Sequence, residues 1–196
     1  MCGRYFVDDS MIGRIEKSFS GIENRLNGKT FSGDIYPTNT APVIAAVSDR
    51  LYLEENRWGY PGKAGKGIVI NARSETVQER RMFCTGIRHG RIVIPAVLFY
   101  EWDARKTKYM FYREDRTLLY LAGIADVFER EKRFVILTTQ ANASMEKVHD
   151  RMPLILEPGQ IRGWLLDDKA ADGILNQTLA VLEKFTKHEQ LTLFDL

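Results

Sequence analysis

Apolar and polar positions alternate along most of the chain, and helical spacing shows chiefly towards its two ends. Met11, Ile12, Ile15 and Phe19 recur at intervals that place them on one helical face. Asp8, Asp9 and Ser10 supply capping side chains before this stripe, and Gly21 ends it. Pro42 to Val47 and Leu51 to Glu55, joined by Ser48, Asp49 and Arg50, carry the signature of a hairpin. Strands dominate thereafter: Ile68 to Ile70, Arg91 to Pro95, Leu98 to Trp102, Tyr109 to Tyr112, Leu118 to Ala122 and Phe134 to Thr139 are short and rich in β-branched or aromatic residues. Polar turns at Arg113 to Arg116 and Glu129 to Lys132 separate several of them. Ser144 to His149 is long enough for a helical turn or two, and Pro153 opens a strand through Leu156. Helices are expected from Pro158 to Leu166 and from Ala170 to Leu182. The pattern predicts an α+β fold with a mainly antiparallel, curled or barrel-like β core and flanking helices.

Composition adds bounds. A length of 196 residues with 44% hydrophobic content suits one domain spanning residues 1–196. Neither a membrane-spanning apolar run nor a basic segment followed by an apolar stretch is present, so no membrane partner is expected and a cytoplasmic location is. Two cysteines, Cys2 and Cys84, lack metal-ligand spacing, and His89, His149 and His188 are scattered, so no metal site is expected. Cys84 reads as a small buried hydrophobe, and His89 and His188 as solvent-facing. A net charge of +2 is too small for a general nucleic-acid binder, so a polyanion would have to meet a local patch of residues such as Arg4, Arg73 and Arg151.

Cys2 stands directly behind Met1. Removing one residue would leave an α-amine and a thiol on adjacent carbons, a 1,2-aminothiol. Such a pair closes a five-membered thiazolidine on an aldehyde, the amine forming an imine and the thiol adding to the same carbon. Position alone is equally compatible with an incidental small residue after Met1.

Four segments in order, Cys2-Gly3-Arg4-Tyr5, Asn71-Ala72-Arg73-Ser74-Glu75-Thr76, Phe99-Tyr100-Glu101-Trp102 and His149-Asp150-Arg151-Met152-Pro153, shift that balance. Together with Tyr36-Pro37-Thr38-Asn39 and Trp58-Gly59, they resemble the SRAP family, named for SOS response-associated peptidase and described as abasic-site processing proteins. The match runs from Cys2 to about Trp164. The resemblance implies a DNA-damage protein that senses abasic sites in single-stranded DNA and caps them covalently through an N-terminal Cys2, associated with the bacterial nucleoid when bound. No metal or organic cofactor is called for by that chemistry, and no residue identifies a recruiting partner such as a replication-fork protein.

The resemblance also assigns roles. Glu101 stands at the family's acidic position; between Tyr100 and Trp102 at a strand end, it is expected to be partly desolvated and to shuttle protons, a surface ion pair being the alternative. His149 matches the family's histidine, suited to proton transfer near neutral pH during sugar ring opening or imine formation. Asn71 matches an asparagine whose amide can both donate and accept while positioning the Cys2 amine or the opened sugar. Arg4, Arg73 and Arg151 offer guanidinium forks to phosphates flanking a lesion, with buried structural pairs as the alternative for the last two. Trp58 is expected in an exposed loop, because Gly59, Pro61 and Gly62 follow it, and there it would stack on bases; Trp102 is balanced between stacking and core. Phe99 and Tyr100 read as packing residues.

Two departures from the family pattern affect DNA contacts more than the chemistry of Cys2. The loop from Tyr60 to Gly67 is compressed, and Ala96-Val97-Leu98 stands where the family has Ala-Asp-Gly. Two other functions remain open: a cysteine-type peptidase or autopeptidase using Cys2, and a noncovalent single-strand binding module that does not need it.

Overall fold

The computed structural model describes residues 2–177, 179 and 181–186. Met1, His188 and the last part of the chain lie outside them. The chain opens with β1 (Tyr5–Val7) and α1 (Met11–Ser18), then β2 (Glu23–Asn24), β3 (Gly33–Ile35), β4 (Thr40–Val47) and β5 (Arg50–Trp58). A small pair, β6 (Tyr60–Pro61) and β7 (Ile68–Val69), leads to β8 (Asn71–Arg73) and α2 (Cys84–His89). Next come β9 (Arg91–Ala96), β10 (Leu98–Trp102), β11 (Lys108–Tyr112), β12 (Leu119–Phe128) and β13 (Glu131–Gln140). The chain continues through β14 (Arg151–Pro153), β15 (Ile155–Leu156), α3 (Ile161–Leu166), α4 (Asp168–Leu175) and β16 (Glu183–Thr186).

Five strands close into a barrel in the order β13, β12, β9, β4 and β5, with β5 returning to β13. The first four pairings are antiparallel, but closure is parallel, with Arg133 opposite Arg57 and Phe134 opposite Trp58. Closure leaves these strands without the unpaired edge that an open sheet exposes. The lumen is narrow. A Cβ on Gly123 of β12 would lie 2.3 Å from Ile94 Cδ1 and 2.9 Å from the Val135 carbonyl oxygen, so glycine is required there.

A second, antiparallel sheet runs β16, β11, β10, β1 and β3, and its inward face packs Tyr5, Phe99 and Phe111 against the barrel. Phe99 and Phe111 are register partners and stack at 5.1 Å between centroids. The α+β class and curled core match the sequence pattern.

Several boundaries differ from expectation. Helix α1 forms and buries Met11 and Ile15, but Ser10 does not cap it by side chain; its hydroxyl donates instead to Asp8 Oδ1 at 2.8 Å. Helix α4 stops at Leu175 rather than Leu182, with Asn176 as its C-cap; Thr178 and Ala180 lie outside the described residues. The compressed loop folds as the β6–β7 hairpin, with Tyr60 opposite Val69. The Ala96-Val97-Leu98 segment turns behind β1, where the Val97 N–H donates to the Phe6 carbonyl at 2.9 Å.

Candidate functional site

Strand β1 lies against β10 with Tyr5 opposite Phe99, so the residues before it run alongside the end of β10. Strand β8 lies parallel to β13 with Asn71 opposite Ile136. These two pairings bring Cys2, Asn71 and Glu101 together. Cys2 is fully buried. Asn71 Nδ2 donates to the Cys2 carbonyl at 3.0 Å, while its Oδ1 is buried with no partner among the described residues. The Cys2 thiol approaches the Arg4 carbonyl at 3.8 Å.

Glu101 is 5% exposed. Cross-strand partners share a face of a sheet. Glu101 is opposite Tyr109, in the row next to Phe99 and Phe111, so its carboxyl faces inward. Burial, followed by the neighbouring charge of Glu101, pushes the Cys2 thiol up to about 12. A buried thiol beside a carboxylate is therefore held protonated at neutral pH.

His149 belongs to the connection between β13 and β14. Its Nδ1 accepts the Arg151 backbone N–H at 2.9 Å and lies 2.9 Å from Asp150 Oδ1. Both contacts fall on Nδ1 and fix the orientation of the ring. Thr138 of β13 pairs with Arg73 on one side and Pro153 on the other, which sets His149 near the same end of the barrel as Arg73.

The basic and aromatic candidates divide. Arg73 is exposed on β8 and forms no salt bridge among the described residues. Arg4 pairs with Asp34 at 3.5 Å, and its guanidinium lies 4.6 Å from the Tyr36 ring centroid, 5.1 Å from Trp102 and 5.6 Å from Tyr100. Trp102 is half-buried on the outer face of β10, opposite in direction to Glu101. The sequence marks Tyr36 only through the Tyr36-Pro37 motif and carries no signal for Asp34.

Arg151 is engaged in an ion pair with Glu75. Its two terminal nitrogens grip both Glu75 carboxylate oxygens at 2.6 and 2.8 Å, and one also donates to the Thr138 carbonyl at 2.6 Å. A phosphate would have to share this guanidinium with Glu75. The Arg151 hydrogen bonds hold the Glu75 carboxyl below the usual carboxylate range. Arg151→Ala is expected to cost about 1–2 kcal/mol, given that charge-assisted bonds contribute ~1.5–3 and Glu75 is partly exposed. Thermal unfolding should show this as a midpoint lowered by a few degrees, with the loss shrinking as acid protonates Glu75.

Trp58 overturns the expectation of an exposed stacking ring. It is the last residue of β5, fully buried, stacked on Phe134 at 6.1 Å and tilted against Tyr5 at 5.3 Å. Its Nε1 donates to the Ile70 carbonyl at 3.0 Å. The chain bends only after the ring, at Gly59, whose φ of 110° suits glycine. Trp58→Ala is expected to destabilise the fold by about 3–5 kcal/mol, as large-to-small core substitutions do. Chemical denaturation should register that loss; a change in DNA affinity without it would restore the exposed-loop view. Cys84 is half-buried, its thiol donating to the Gln78 and Arg80 carbonyls at 3.5 and 3.4 Å.

The family model for SOS response associated peptidase (SRAP) matches residues 1–194. The chain belongs to the SRAP family. Among its SRAP relatives, the abasic site processing protein YedK of Escherichia coli is 31% identical over 79% of this chain and 75% of its own length. The abasic site processing protein YoaM of Bacillus subtilis is 30% identical, covering 84% of this chain and 79% of its own. A crystal structure from Bordetella bronchiseptica superposes with a TM-score of 0.79 over 94% of this chain and 99% of that one, at 24% identity, and so shares the fold. Among the described residues of this SRAP chain, no group of three or more His, Cys, Asp or Glu side chains is placed to hold a metal ion, and no helix is long and apolar enough to cross a membrane.

Proposed function

We propose that this protein captures abasic sites in single-stranded DNA through Cys2 once Met1 has been removed. The observation that carries this is the burial of Cys2 against the Asn71 amide and beside Glu101, at the start of a chain whose family relatives are named for abasic-site processing.

The opened deoxyribose presents an aldehyde. The Cys2 amine adds to it and water leaves, giving an imine; the thiol then adds to the same carbon and the ring closes. Amine, thiol and aldehyde become thiazolidine and one water, with no electrons left over. Because the thiol is held protonated, the amine acts first, and the thiol proton passes to an acceptor as sulfur adds. Glu101 protonates the departing oxygen as the imine forms, then takes the thiol proton and passes it to the imine nitrogen as the ring closes. Asn71, anchored on the Cys2 carbonyl, directs its unpartnered Oδ1 to the amine N–H. His149 assists sugar ring opening. Arg4 and Arg73 hold flanking phosphates, and Trp102 stacks beside the gap.

Ring closure removes the iminium on which β-elimination depends, so the capped strand resists breakage. The test is a single-stranded oligonucleotide with one abasic site, heated in mild alkali with and without prior incubation with Met1-free protein. The strand should survive only after incubation; equal cleavage in both samples would overturn the capping role.

A further inference from the structure

Beyond the lesion itself, the structure holds a cleft of about 600 Å³ between the β10–β11 end of the outer sheet and the turn that precedes His149. One wall carries Arg105, Tyr109 and Lys184; the other carries Lys147 and Val148. Two of its lining residues, Tyr109 and Val148, adjoin residues of the site. Tyr109 is the register partner of Glu101 and of Thr186, so these three residues form one cross-strand row. Val148 is followed directly by His149. Lys184 Nζ donates to the Ser144 carbonyl at 3.4 Å and so spans the two walls.

Three cations and one carboxylate line the cleft, so its charge is net positive. Asp103, its lining carboxylate, is used by its own turn: Oδ1 accepts the Thr107 N–H at 2.8 Å and the Arg105 N–H at 2.9 Å, and the Tyr109 hydroxyl lies 3.5 Å from Oδ2. Arg105, Lys147 and Lys184 are exposed, and none forms a salt bridge within 4.0 Å among the described residues. The nearest acids in sequence, Glu146 and Glu183, do not line the cleft. Three cations without a salt-bridge partner among the described residues, set against one carboxylate in a cleft whose lining adjoins Glu101 and His149, suit an extended polyanion leaving the site.

We propose that this cleft carries the DNA strand on one side of the abasic site, with its phosphates on Arg105, Lys147 and Lys184. The inference rests on the reading of Cys2 as the lesion nucleophile. It adds a polarity: one flank of the lesion is gripped here and the other is not.

The experiment compares the protein with a variant carrying Arg105→Ser, Lys147→Ser and Lys184→Ser, all at exposed positions, after checking that the thermal midpoint is retained. Noncovalent binding is measured in the Cys2→Ala background at several salt concentrations. Two oligonucleotides are used, one extending only 5′ of the abasic site and one only 3′. For one of the two, affinity should fall by about tenfold at moderate salt, and the slope of log affinity against log salt should flatten by about 2, since each single-strand phosphate contact contributes ~0.7. The other oligonucleotide should bind as before. Equal losses for both, or an unchanged slope for both, overturns the proposal. Adduct formation by the protein with Cys2 intact is measured alongside. If it forms none, the reading of Cys2 fails and the strand path fails with it; if it forms the adduct and the slopes are unchanged, the strand path alone is wrong.

Discussion

Cys2→Ala is expected to abolish the adduct that survives denaturation. Alanine keeps the α-amine after Met1 removal, so the imine with the opened sugar can still form. It cannot be closed, because no sulfur remains to add to the carbon. An open imine hydrolyses or serves as the electron sink for β-elimination, so the variant should leave the strand as breakable as free DNA, or more so. Borohydride should trap the imine in the variant, while the thiazolidine of the parent protein should need no reductant. Losing one buried sulfur costs little in stability, and the Asn71 anchor is made to the backbone carbonyl of residue 2, which alanine retains. Noncovalent affinity for abasic single strands should therefore remain within a few-fold. A denaturation-stable adduct formed by Cys2→Ala would place the chemistry on another residue.

Glu101→Gln is expected to slow adduct formation by about 10²- to 10⁴-fold, the range a positioned acid–base group contributes. The same substitution should act in the opposite direction on the thiol. Negative charge at Glu101 disfavours the Cys2 thiolate and adds to the effect of burial in raising the thiol to about 12. A neutral amide lowers that value, so at any pH below it more thiolate is present and Cys2 alkylates faster. The alkylation profile should move to lower pH while capture becomes slower and the thermal midpoint holds. Faster alkylation with a lowered midpoint would mean local opening instead. Unchanged adduct kinetics would remove Glu101 from the chemistry.

Much of this arrangement was legible from local pattern. The long hairpin, the central strands and the short first helix follow from alternation and spacing, and the ordered motifs containing Cys2, Asn71 and Glu101 pointed to residues that two strand pairings bring together. What the pattern missed depended on long-range pairing. Trp58 looked exposed because Gly59, Pro61 and Gly62 follow it, yet its environment is set by Phe134, across a parallel barrel closure that periodicity cannot reveal. Arg151 looked like a free fork, but Glu75 lies 76 positions earlier and is delivered by the pairing of β8 with β13. Helix α4 was extended too far because Leu179 and Leu182 prolong an apolar rhythm; they are buried without continuing the helix. The cage around Arg4 joins Asp34 and Tyr36 to β10, contacts that no single segment of the chain contains.

The central claim is covalent capture by a free Cys2, and intact mass spectrometry tests it most directly. Met1-free protein is incubated with a single-stranded oligonucleotide containing one abasic site, beside the Met1-retaining form. The account predicts a stable species at the mass of protein plus DNA less one water, formed only when the Cys2 amine is free. No such species from protein verified to lack Met1, or equal yield from the form that retains it, would contradict the account.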